Sequence, residues 1–157
     1  MNDSHPFPPT TKRVAANTAE HINERVRQQT EAALAYFADH PEEIGRRLEQ
    51  LDREWDIERT LEANAASFSL LGLTLAVNRG SRWLALPIGV AAFLLQHALQ
   101  GWCPPVPIFR RLGVRTASEI SRERYALKVL RGDFRGTPPP NGSAQDKACQ
   151  ALAAAEA

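Results

Sequence analysis

The sequence predicts an all-α protein: a membrane helical hairpin flanked by amphipathic cytoplasmic helices, with a disordered N-terminus and a flexible C-terminal tail. Three observations predict it. Residues 63–78 and 83–109 carry no Asp, Glu, Lys or Arg. Trp83 and Trp102 bracket the second stretch, 19 residues apart. A helix of that length rises about 28 Å, close to the ~30 Å hydrocarbon thickness of a bilayer. Charge is also segregated: residues 1–60 hold 8 Lys/Arg against 12 Asp/Glu, whereas residues 110–136 hold 8 against 3. The overall net charge of +1 conceals an acidic half, an apolar middle and a basic segment. At 157 residues the chain has room for one domain and tails, not two independent cores.

Residues 1–13 are polar, contain Pro6, Pro8 and Pro9, and are expected to be disordered. They lack the apolar stretch of a secretory signal. Residues 14–60 read as amphipathic cytoplasmic helices. The first is predicted to open near Asn17, with Glu20 reaching back to complete the cap. Ala19, Ile22, Val26, Gln29, Ala33 and Tyr36 then form a weak stripe spaced by threes and fours. His40-Pro41-Glu42-Glu43 predicts a second start, with proline in the first turn and acids facing the positive end of the dipole. Ile44, Leu48, Leu51 and Trp55 make the apolar face of that helix. The face packs on a partner, or lies on the bilayer with Trp55 at the headgroups.

Residues 61–109 are predicted to form the hairpin. Leu61–Val77 has its only charge, Glu62, at the outer end, and Trp83–Leu99 has none. Each is 17 residues, at the short limit for spanning. Eight Leu/Ile/Val/Phe in the second segment contribute roughly −2.5 to −5 kcal/mol toward insertion. Asn78 to Arg82 is short enough to force an antiparallel return, with Gly80 for the turn. Gly72 with Ala76, and Ala85 with Gly89, are small-xxx-small pairs that allow close helix packing within a hairpin or between copies. Asn64, Gln96 and His97 are expected at one depth, hydrogen-bonding across the two helices.

Beyond Leu99 the helix should end at Gly101, and Cys103 to Pro107 should be non-helical, because three prolines remove donors. Residues 110–135 read as a basic amphipathic cytoplasmic segment. Thr116 and Glu119 form a capping box opening a helix to about Arg131, and Gly132 is placed to end it. Arg122, Arg124, Lys128 and Arg131, with Arg135 beyond, suit anionic lipid headgroups at ~1 kcal/mol each. Residues 136–157 should be a flexible tail. Arginines near the membrane ends number seven on the terminal side (46, 47, 53, 59, 110, 111 and 115) and two at the tip (79 and 82). That bias puts both termini in the cytoplasm.

Arg59-Thr60-Leu61-Glu62-Ala63, the glycine in the first span, Trp83-Leu84 and the exit Gly101-Trp102-Cys103-Pro104 together resemble the YgaP-like transmembrane-domain family of bacterial inner-membrane proteins. The resemblance covers about residues 57–108. It implies a bacterial inner-membrane location and a dimerising hairpin. That family's function is largely unknown. Its best-known relatives fuse the hairpin to a rhodanese domain, of which this chain has no counterpart, so sulfurtransferase activity does not carry over.

Cys103 is the candidate reactive thiol, since Arg110 and Arg111 nearby would favour thiolate. The plainer reading is a small apolar residue at a helix exit. Cys103 and Cys149 form no CxxC pair and are expected to be reduced. His97 and Cys103 are six apart across a helix end, which is no ligand spacing, so no metal and no cofactor is expected. No nucleophile–base set, phosphate loop or nucleic-acid motif appears. The sequence therefore points to a non-enzymatic membrane protein of unknown role that oligomerises and binds a cytoplasmic protein partner. Two other readings are a sulfur-carrier accessory protein using Cys103 and a soluble all-helical homo-oligomer.

Overall fold

The computed structural model describes residue 9, residues 11–134 and residues 145–146. All regular structure among them is helical. Apart from 145–146, the predicted tail lies outside the described residues, as do Arg135, Cys149 and the start of the chain before Pro9.

Two long apolar helices form one half of the structure. The first, α4 (Ile57–Arg79), starts under an Asp56 cap whose carboxylate accepts from the Arg59 amide at 2.8 Å. The second, α5 (Ala85–Gln100), follows a 3₁₀ turn at Ser81–Leu84. They run antiparallel: Glu58 meets His97 at the open end, and Gly72 meets Leu86 and Pro87 near the turn. A Cβ on Gly72 would sit 2.6 Å from Pro87 Cδ, so glycine is required for that approach. Most of the apolar side chains on this pair point outward, among them Leu70, Val77, Ile88 and Leu95.

The remaining helices make a head at the open end. The elements are α1 (Arg13–Ala16), α2 (Glu20–Asp39), α3 (Ile44–Arg53), α6 (Val106–Arg111) and α7 (Ala117–Arg131). Segments from before and after the apolar pair interleave here. Ile44, Leu48 and Leu51 of α3 share a core with Ile120 and Leu127 of α7, with Leu34 and Phe37 of α2 beside them. Val14, Ile57, Leu61, Cys103 and Val106 form a second core at the base of the pair. The Ile57 amide donates to the Arg115 carbonyl at 2.9 Å, joining the two segments directly.

Several local expectations are corrected. Asn17 does not cap α2; it ends α1, and α2 begins at Glu20. Pro9 to Arg13 is not a free tail, because the Lys12 and Arg13 amides donate to the Pro9 carbonyl. On α2 the buried positions are Ile22 and Val26, and Tyr36 turns outward to stack on His40. Trp55 leaves the α3 stripe and is covered by the Arg59 guanidinium at 4.3 Å. Prolines 105 and 107 do not prevent a helix over Val106–Arg111, since they occupy its cap and first turn, where no amide donor is needed. The Thr116–Glu119 capping box and the left-handed Gly132 stop are present as predicted.

Ion pairs hold α7 in place. Arg110 is 1% exposed and its two terminal nitrogens reach both oxygens of Glu119, at 2.7 and 2.8 Å, plus Asn23 of α2 at 3.0 Å. Glu123, fully buried, accepts from Arg47 at 2.8 Å and from Arg115, which also grips Glu54. Burial pushes the Glu119 and Glu123 carboxyls up, but their arginine hydrogen bonds outweigh it and hold both below the ordinary range. Their contribution to stability is therefore complete above the ~4.3 of an unfolded glutamate and is lost as pH falls through the folded-state values.

Glu123→Ala leaves Arg47 and Arg115 facing an empty buried position and should cost about 3–5 kcal/mol. Removing Glu31, whose pair with Arg27 is well exposed, should cost under ~1 kcal/mol. Thermal unfolding in mild detergent, repeated from pH 7 to pH 3, checks both. The gap between wild type and Glu123→Ala should narrow on acidification, and a constant gap would contradict the assignment.

Candidate functional site

At the base of the apolar pair a buried histidine meets a partly buried carboxylate and an arginine. The α5 helix ends at Gly101, which is left-handed with φ +77°. Its last carbonyls have no partner within the helix and take donors from α1. Arg13 Nη1 donates to the Ala98 carbonyl at 3.0 Å, and Asn17 Nδ2 to the Gln100 carbonyl at 2.8 Å. A Cβ at Gly101 would lie 2.6 Å from the Arg13 backbone, so glycine serves both the turn and the seat of α1. Positive charge at a helix C-terminus also complements the dipole.

Glu58 links these elements. One carboxylate oxygen accepts from Arg13 Nη2 at 2.9 Å, and the other is 2.8 Å from His97 Nε2. Burial pushes the Glu58 carboxyl up, and the hydrogen bonds and charges of Arg13 and His97 bring it below the ordinary range. His97 is 4% exposed, and its Nδ1 is buried without a hydrogen-bond partner among the described residues.

Cys103 is buried in the adjoining core. Burial pushes its thiol up and the charge of Glu58 adds to this, against a smaller opposing pull from the Val106 amide. The expected arginines do not act on it: Arg110 is committed to Glu119. No group of three or more His, Cys, Asp or Glu that could hold a metal occurs among the described residues.

The structure separates residues expected to meet. Asn64 Nδ2 donates to its own helix at the Thr60 carbonyl, His97 goes to Glu58, and Gln96 makes no hydrogen bond among the described residues. Of the small residues, Gly72 is used inside the pair, whereas no atom lies within 4 Å of where a Gly89 Cβ would be. Ala76 is half-buried and Ala85 exposed. Of the basic residues on α7, Arg124 bonds Asp52 and Arg131 bonds Asp133. Arg122 and Lys128 make no ion pair among the described residues. The roles of Glu58 and Arg13 were missed. The signal available was the position of Glu58, one turn before Leu61 opens the first apolar stretch.

If α1 covers the thiol, displacing it should uncover Cys103. In a Cys149→Ser background, Gly101→Val should speed alkylation of Cys103 by iodoacetamide at least tenfold, since a β-branched residue at positive φ costs ~1–2 kcal/mol before any clash. Peptide mass spectrometry over time reads this, and unchanged labelling would show that α1 is not the cover. Comparison with protein-family models, curated proteins and solved structures finds no match to this chain.

Proposed function

We propose that this chain is a non-enzymatic membrane protein: α4 and α5 cross the bilayer as a hairpin, and both flanking segments assemble one helical head on the cytoplasmic side. The observation that carries the reading is the outward-facing apolar surface of the pair. Both helical runs, Pro41–Arg79 through α4 and Ser81–Gln100, are long and apolar enough to span. The core helix of a water-soluble protein would be mostly buried, yet only 17% and 6% of the apolar stretches are buried. Leaving so much contiguous apolar surface in water is unfavourable at about 25 cal/mol per Å², and lipid removes that cost.

The head supports a common side for both termini. Asn23 bonds Arg110 and Ile57 bonds Arg115, which supports placing the segments before and after the pair on one face of the bilayer. The arginine bias favours the cytoplasm for that side. The resemblance to YgaP-like hairpins agrees with an inner-membrane anchor. The head's role would be to hold a protein partner against the membrane, with its basic α6–α7 side toward anionic headgroups. A buried Cys103 with its thiol pushed up argues against the sulfur-carrier reading.

Expressed in bacteria, the protein should stay in the pellet through alkaline carbonate washing. An impermeant maleimide applied to intact spheroplasts should label Arg79→Cys but neither native cysteine. Recovery in the wash would favour the soluble oligomer, and failure of Arg79→Cys to label would reverse the topology.

The glycines separate packing within a protomer from packing between copies. Gly72→Leu should wedge α4 from α5 and cost about 1–3 kcal/mol. Gly89→Leu should leave the protomer intact and abolish crosslinked dimers in membranes. A dimer that survives Gly89→Leu would place the self-association elsewhere.

A further inference from the structure

An apolar groove of about 340 Å³ lies where α6 folds back beneath the helix pair. Its walls include Ala65 and Phe68 of α4, Phe93 of α5 and Ile108 of α6, with Asn64 and the Cys103 thiol at its border. The volume falls within the ~300–1,000 Å³ of small-molecule sites. Water has almost nothing to bond there, so an apolar occupant is favoured. Phe68, Phe93 and Ile108 are also part of the exposed apolar belt, at 51%, 46% and 58%, so the groove is continuous with that belt.

Helical spacing places a cation one turn beyond the groove on α6. Arg111 lies three residues after Ile108 on the same face of α6, is exposed, and makes no ion pair among the described residues. Its neighbour Arg110 differs, being buried and held by Glu119. An apolar slot with an uncommitted guanidinium one helical turn further along α6 matches a molecule with a long hydrocarbon chain and an anionic head.

We propose that this groove binds one anionic glycerophospholipid, an acyl chain lying between α4, α5 and α6 and the phosphate meeting Arg111. The inference rests on the membrane reading. A bound lipid would fill this groove at the base and tie α6 to the pair from the bilayer side.

The test uses the full chain reconstituted in vesicles of equal dioleoyl phosphatidylglycerol and dioleoyl phosphatidylcholine, then extracted in mild detergent and weighed by native mass spectrometry. One phosphatidylglycerol per protomer should remain, favoured over phosphatidylcholine roughly fivefold. Ile108→Trp, which fills the mouth, and Ala65→Leu, which fills the floor, should each reduce retention to background. Arg111→Gln should keep a lipid but lose the headgroup preference. Leu95→Trp, on the outer belt, should change nothing. Retention unaffected by both filling variants, equal retention of the two lipids by wild type, or an Ile108→Cys disulfide dimer that excludes lipid would each overturn the proposal. Carbonate extraction separates the two levels. A membrane-bound protein without retained lipid defeats this inference alone, and a protein released by carbonate defeats the anchor as well.

Discussion

The placement of Arg110 decides how the segments before and after the apolar pair meet in the head. Its guanidinium is almost completely buried, and it touches α2 through Asn23, the α6–α7 loop through the Val114 carbonyl, and α7 through Glu119. Taking a guanidinium and a carboxylate out of water costs several kcal/mol per ion, which attraction offsets only with good geometry and further hydrogen bonds. The bidentate contact and two extra acceptors supply that geometry, although Nε is buried without a partner. Such a cluster adds little net stability over an apolar core. Its value lies in discrimination: misplacing α2 or α7 strands a buried charge, so one arrangement of the head is strongly preferred.

That selectivity matters because the head has no continuous sequence. Its helices come from residues before 57 and after 101, and its two buried cores are small, with five buried residues each. The antiparallel pair helps by bringing His97 back beside Glu58, so closure of the intervening loop is complete before the head assembles. Pairing of the two apolar helices and folding of the head are therefore coupled, the first lowering the entropic cost of the second. Arg115 makes the coupling explicit: its carbonyl accepts from Ile57 at the start of α4 while its side chain grips Glu54 and Glu123.

Local signals were legible wherever the cause was local. The α7 cap and stop, the Gly101 end of α5, the Ile44, Leu48 and Leu51 face and the two apolar runs all depend on neighbours within a turn or two. Cross-chain partners were not. Asn17 looks like a cap for the helix that follows it, but a carbonyl 83 residues away competes for its amide. Asn64 looks like a partner for His97 by depth alone, yet its own helix offers a carbonyl four residues back at 2.8 Å. Charge counts gave Cys103 two cations for neighbours, and could not reveal that one of them is spent on Glu119. The prolines at 104, 105 and 107 were read by number, whereas their positions relative to a helix start decide their effect.

The base of the pair also solves a problem common to any apolar helix that ends near a dry surface. The final carbonyls of such a helix carry partial negative charge, and unpaired they cannot be buried. Ordinarily the following residues or water satisfy them. Here α1 does so from the far end of the sequence, with Arg13 bonding the Ala98 carbonyl and Asn17 the Gln100 carbonyl. The same Arg13 neutralises Glu58, and Glu58 in turn fixes His97 through Nε2. A cation delivered to a helix C-terminus thus answers the dipole, the carboxylate and the histidine with one side chain. Removing the glycine that admits it would expose all three demands together. Most polar atoms of the junction are occupied with one another, His97 Nδ1 and Arg13 Nε being the buried exceptions among the described residues, and Cys103 lies in the core that Val14 of α1 helps to close.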